Sequence, residues 1–149
     1  MKSNSVSKYS ARDAYNWFRK KNPDTTVTYP LFKQVISQFN KKVSNAILEG
    51  QVFNMGHHLG TLRIKKIERT FTRPTIDWGE TNKLKKQGIK QLVYYTDDFY
   101  YRWNWDKSRS RAKNKSVYTF SPTSGATGNR KALVHKLKGD DFAYLNYKP

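Results

Sequence analysis

Few side chains in this sequence are of types that do chemistry, and their spacing argues against catalysis. The 149 residues include no cysteine, which excludes disulfides, thiol nucleophiles and cysteine-ligated zinc. The three histidines are His57, His58 and His135. An adjacent pair in a glycine-rich turn with no third ligand nearby reads as a surface loop, so no metal or other cofactor is expected. Asp97 and Asp98 could be taken for paired catalytic carboxylates, but neighbouring acids between two apolar runs are turn formers first. No H-E-x-x-H, G-x-S-x-G or G-x-x-x-x-G-K-[ST] pattern occurs, and the sequence points away from an enzyme.

What the chain has in abundance is positive charge. Lys and Arg number 29 against 11 Asp and Glu, a net charge of +18. The excess is largest between residues 61 and 120, which hold 15 basic and 6 acidic side chains. Such a chain attracts polyanions at ordinary salt, so a nucleic acid is the expected partner; the plainer reading is a basic protein seated beside acidic neighbours. With no apolar run near the ~20 residues that span a bilayer and no secretory leader pattern, the expectation is a soluble, intracellular protein that does not enter membranes.

The candidate phosphate contacts fall into four groups. Arg63, Lys65, Lys66 and Arg69 lie on a strand expected between Gly60 and about Phe71, where Leu62 and Ile64 alternate with Arg63 and Lys65. The alternation slips at Lys65-Lys66, which predicts a bulge and a sheet with one apolar and one cationic face. Arg73, Lys83, Lys85 and Lys86 belong to an excursion over 72–91 that holds a short helix near 80–86. Lys107, Arg109, Arg111, Lys113 and Lys115 recur at period two, as either a row of cations on one side of a strand or a solvated loop tip. Arg102, Arg130 and Lys131 complete the set.

The elements that position these cations follow from periodicity. A first helix is expected over about Ala11–Lys21, behind a Ser10/Asp13 capping box and with Ala14, Trp17 and Phe18 as its apolar stripe. A second begins near Pro30 and buries Phe32, Val35, Ile36, Phe39, Val43, Ala46 and Ile47, ending ahead of Gly50. Leu92 to Trp105 reads as a β-hairpin turning at Asp97-Asp98. On its second strand Phe99, Tyr101, Trp103 and Trp105 share one face, as a protein interface or packed core, or else as a base-stacking platform, while Tyr100, Arg102 and Asn104 share the other. A short strand over 117–120, a helix over Asn129–Lys138 with Leu133, Val134 and Leu137 inward, and a Tyr-rich tail packing back on the domain close the chain. Residues 1–8 read as a polar tail.

The order helix, helix, Gly-Gln-Val-Phe, Leu59-Gly60-Thr61-Leu62-Arg63-Ile64, a basic middle, and a closing Phe120, Pro122 and Lys131 to Leu137 resembles the histone-like HU and integration host factor family. The resemblance implies an α+β fold in a single basic domain: a helix pair and first strand over 8–71, an enlarged arm or hairpin insertion over 72–116, and a last strand, C-terminal helix and tail over 117–149. It implies a non-enzymatic homodimer that binds double-stranded DNA through its phosphates, in host cytoplasm or nucleoid. The family's arm tip carries Arg-Asn-Pro, whose proline wedges between base pairs; here only Arg73-Pro74 is present. The chain also looks like the small basic proteins of this type in large tailed phages of Bacteroidetes. That likeness implies the alternative of a virion structural protein, a capsid or portal-vertex accessory component making protein contacts.

Overall fold

The computed structural model describes residues 10–111, 116, 118–140 and 142–149. The expected N-terminal tail, the start of the strand expected at 117, Lys113 and Lys115 lie outside the described residues. The architecture is mixed α+β, with helices α1 (Ala11–Lys21), α2 (Tyr29–Leu48), α3 (Trp78–Lys86) and α4 (Asn129–Gly139). The sheet comprises strands β1 (Phe53–Asn54), β2 (Thr61–Glu68) and β3 (Phe99–Asp106), all antiparallel, in the order β1-β2-β3. The chain divides into two compact units, Met1–Asn45 and Ala46–Pro149, with the boundary inside α2. No helix among the described residues is long and apolar enough to cross a membrane.

The first unit is a helical hairpin closed by aromatic rings. The Ser10/Asp13 capping box forms as expected and satisfies orphan N–H groups at the start of α1. Tyr15 is the buried side chain of α1, its ring 5.3 Å from Tyr29 and 5.4 Å from Phe32, and Phe18 lies 5.3 Å from Phe32. The Tyr15 hydroxyl donates to the Val27 carbonyl at 2.9 Å. The inward stripe is therefore Tyr15 and Phe18, one turn apart, and Trp17 is turned outward at 64% exposure, against the expected phase. On α2 the expected stripe also stays largely uncovered: Val35, Ile36 and Phe39 are 55%, 41% and 53% exposed. A two-helix hairpin buries one line of contact, and the stripe of a 20-residue helix is wider than that.

The second unit begins with the last turn of α2, where Ile47 is fully buried. Gly50 follows at φ +90°, and any Cβ there would meet the side chain and carbonyl of Asn146, so both conformation and space demand glycine. β2 and β3 form the body of the sheet. Their register runs from Thr61 opposite Asp106 to Glu68 opposite Phe99, residue for residue, with no bulge at Lys65-Lys66. Leu62, Ile64, Lys66 and Glu68 consequently share a face with Trp105, Trp103, Tyr101 and Phe99. The apparent slip in hydrophobic phase has a different origin: Lys66 lies on the aromatic face, and its ammonium sits over the Phe99 ring.

The expected hairpin over Leu92–Trp105 does not form, because the partner of β3 is β2 and residues 93–95 pair elsewhere. Tyr94 bridges Ile76, Asp77 N–H donates to Val93 carbonyl, and Tyr95 N–H donates to Thr75 carbonyl. This pairing brackets α3, whose N-cap Asp77 accepts from the Gly79 and Glu80 amides and whose buried Thr81 accepts from the Val93 amide. Residues 118–120 carry no strand pairing. On α4, Leu133 is buried and Leu137 half-buried, whereas Val134 faces outward. The tail does pack back: Tyr147 is buried, donates to the Leu48 carbonyl at 2.6 Å, and lies 5.6 Å from the Tyr101 ring.

Candidate nucleic-acid interface

The pleat of β2 and β3 decides which cations act together. Opposite the aromatic face, the ladder presents Arg63, Lys65 and Ile67 from β2 and Tyr100, Arg102, Asn104 and Asp106 from β3, and Arg69 continues the same alternation past the strand end. Four cations thus stand on one face within two neighbouring strands. Lys66 is excluded from that set by the unbroken register.

The two arginines at the ends of the row are held by different devices. Arg63 Nη1 donates to the Pro149 carbonyl oxygen at 2.7 Å, and the Lys66 amide donates to the Lys148 carbonyl at 3.2 Å, so the tail lies along the side of β2 away from β3. Arg69 is clamped by rings, its guanidinium carbon 4.2 Å from the Tyr95 centroid and 5.2 Å from that of Tyr100. Contact of this kind holds the planar fork in place. In both arginines the Nε proton is buried without an acceptor among the described residues. An unpartnered buried donor is costly, and these two protons lie beneath the face rather than on it.

One carboxylate tempers the face. Asp106 lies at its end, and its carboxyl is held below the ordinary value of 3.8, chiefly by the Ser108 backbone N–H and then the Ser108 hydroxyl, with Arg63 and Lys65 adding to the effect. It is ionised at neutral pH and offsets part of the local positive charge.

The remaining candidates stand on other elements. Lys83, Lys85 and Lys86 are exposed on α3, where Lys83 pairs with Glu80 at 2.6 Å. Arg73 is exposed in the turn before α3, and Arg130 and Lys131 are exposed in the first turn of α4. Lys107, Arg109 and Arg111 follow β3 as a turn rather than a strand, so their period-two spacing does not align them; Arg111 N–H donates to the His58 carbonyl.

The aromatic side chains expected to make a protein interface are used in three ways. Trp103 is 7% exposed and packs in the core with Ile64, donating its indole N–H to the Asn129 carbonyl at 2.9 Å. Trp105 donates to the Leu59 carbonyl at 2.8 Å, and burial, the leading cause, pushes the Tyr101 phenol above its ordinary pKa. Phe99 remains 39% exposed beneath Lys66. Sequence reasoning missed Tyr95 as an arginine clamp and the tail as a neighbour of Arg63. Only the placement of Tyr100 beside Arg102 could have hinted at the first.

His57 and His58 both adopt left-handed backbone in the exposed turn between β1 and β2, with φ of 45° and 56°. Among the described residues no group of three His, Cys, Asp or Glu side chains could hold a metal ion. The sequence matches no protein-family model, no curated protein and no solved structure.

Proposed function

We propose that this is a non-enzymatic nucleic-acid-binding protein, phage-encoded and of the HU/IHF-like type, that grips the phosphates of double-stranded DNA without strong base readout. The observation that carries this reading is the set of Arg63, Lys65, Arg69 and Arg102 on one face of the β2–β3 ladder, in a chain of net charge +18. The guanidinium of Arg69 held between the Tyr95 and Tyr100 rings adds to it. Phosphates position a duplex without specifying sequence, as expected of a face whose charged groups are mostly cations. The test is the slope of log K against log salt for a random duplex. Replacing Lys65, Arg69 and Arg102 together by Ala should flatten that slope by about 0.9 for each phosphate no longer neutralised. An unchanged slope and affinity would remove the face from the interface.

A second reading, the virion structural protein, is favoured by a separate observation. Val35, Ile36 and Phe39 of α2 are each more than 40% exposed, and an apolar stripe of that kind marks protein association. In that reading α2 docks on a second copy or a capsid or portal-vertex partner, and the basic face meets acidic subunits. Recovery at fixed copy number from purified particles, without protection of DNA in cells, would put this reading first.

A further inference from the structure

The aromatic face of β3 is not fully closed by α4. Between them runs a groove of about 650 Å³, with Trp105 on the strand side, Tyr118 and Phe120 on a second wall, and Val134 of α4 on a third. Tyr118 is 55% exposed and Phe120 is 37% exposed, although a chain of this size could bury two such rings. Arg102, Lys107 and Arg130 also line the groove, and among the described residues no carboxylate does. Lys107 Nζ donates to the Tyr118 carbonyl at 2.7 Å and Arg130 Nη2 to the Ser121 hydroxyl at 3.2 Å, so each cation is tied to the wall that carries the rings. Among the described residues Arg130 forms no ion pair.

We infer that this groove is a binding site for single-stranded nucleic acid, one or two nucleotides deep. Its chemistry has two parts that must be met by one ligand: flat apolar rings open to a partner, and, among the described residues, a border that carries cations and no acid. A nucleotide supplies both, since every base offers a π-face to stack on Tyr118 or Phe120, beside Trp105 with the Lys107 ammonium over its ring, and every linkage brings one phosphate to Lys107 or Arg130. The volume falls within the roughly 300–1,000 Å³ common for small-ligand clefts, enough for a base and its sugar. A duplex does not satisfy the site, because its base faces are already stacked on one another. An acidic peptide satisfies the cations and leaves the rings unmatched. The groove runs along the free edge of β3, where Arg102 and Asn104 line it together with Trp105. Arg63, Lys65 and Arg69 do not line it, and these three distinguish the duplex interface proposed above.

The test compares a labelled 12-nucleotide oligothymidine with a duplex of the same length, both read by fluorescence anisotropy at one salt concentration. The double substitution Tyr118→Leu, Phe120→Leu keeps apolar volume at two exposed positions and removes the rings. Oligothymidine affinity should fall at least about tenfold, with duplex affinity within twofold of the parent. The substitutions Arg63→Ala, Lys65→Ala and Arg69→Ala together should do the reverse, so failure of one site is distinguishable from failure of the other. The parent protein gives a second readout that needs no variant: photocrosslinking to 4-thiothymidine oligonucleotides should label Trp105 or the 118–122 segment. Unchanged oligothymidine binding in the ring variant, equal losses for both ligands, displacement by polyglutamate as effectively as by oligothymidine, or crosslinks mapping elsewhere would each overturn the assignment.

Discussion

The Lys66 ammonium lies 3.9 Å from the centre of the Phe99 ring, while its sequence neighbour Lys65 stands opposite Arg102 on the other side of the sheet. Two adjacent lysines are thereby given different surroundings by the pleat alone. If the cationic face holds phosphates, Lys65→Ala should flatten the salt dependence of duplex binding by about 0.9, and Lys66→Ala should leave the slope unchanged. Equal effects of the two substitutions in salt titrations would contradict the register as the organiser of the interface.

Asp106 works against anion binding at the same face. Asp106→Asn removes a negative charge beside Arg63 and Lys65 and should tighten duplex binding at low salt, with the gain shrinking as salt rises. The same substitution bears on stability in acid. Because the folded carboxyl lies below its ordinary value of 3.8, ionised Asp106 stabilises the fold above that value, and the contribution is lost as pH falls through the folded pKa. Urea midpoints measured from pH 6 down to pH 2 should therefore drop further in the parent than in Asp106→Asn. The hydrogen bond from the Ser108 amide, the first cause of the shift, is the interaction being titrated.

The exposed stripe of α2 changes what truncation should cost. Phe39, expected from periodicity to be a buried residue costing ~3–5 kcal/mol on truncation, is 53% exposed, so Phe39→Ala should cost about 1 kcal/mol or less in a dilute, monomeric chain. Tyr15→Ala, at the centre of the ring cluster, should cost about 3 kcal/mol or more. Sedimentation at low micromolar concentration should show association that Val35→Ser with Ile36→Ser abolishes. A parent chain that stays monomeric at high concentration would refute self-association through this stripe.

One of the tail's fastenings is a phenol. Tyr147→Phe removes the hydroxyl that donates to the Leu48 carbonyl and should destabilise the protein by about 1 kcal/mol. Tyr144→Phe, at a 42% exposed ring, should fall within about ±0.5 kcal/mol in the same denaturant titration.

The sequence alone determined the local elements and the electrostatic character of the chain. Ser10 and Asp13 announced a helix start that forms as a capping box, Gly50 announced a helix end, and Gly88, at φ +81°, follows α3 as a breaker should. These signals are legible because they depend on neighbours within four residues. The period-two aromatics of 99–105 were legible for the same reason, since a strand's faces are fixed by its own pleat. What only the tertiary structure decided is pairing and burial. Nothing local distinguishes β2 from residues 92–96 as the partner of β3, and the choice rests on a ladder joining residues more than 30 positions apart. That ladder removed the bulge, sent Lys66 to the aromatic side, and placed Tyr100 where, with Tyr95, it brackets Arg69. Amphipathicity told which face of α2 is apolar; it could not tell whether that face is covered, because coverage depends on what else the chain brings to it.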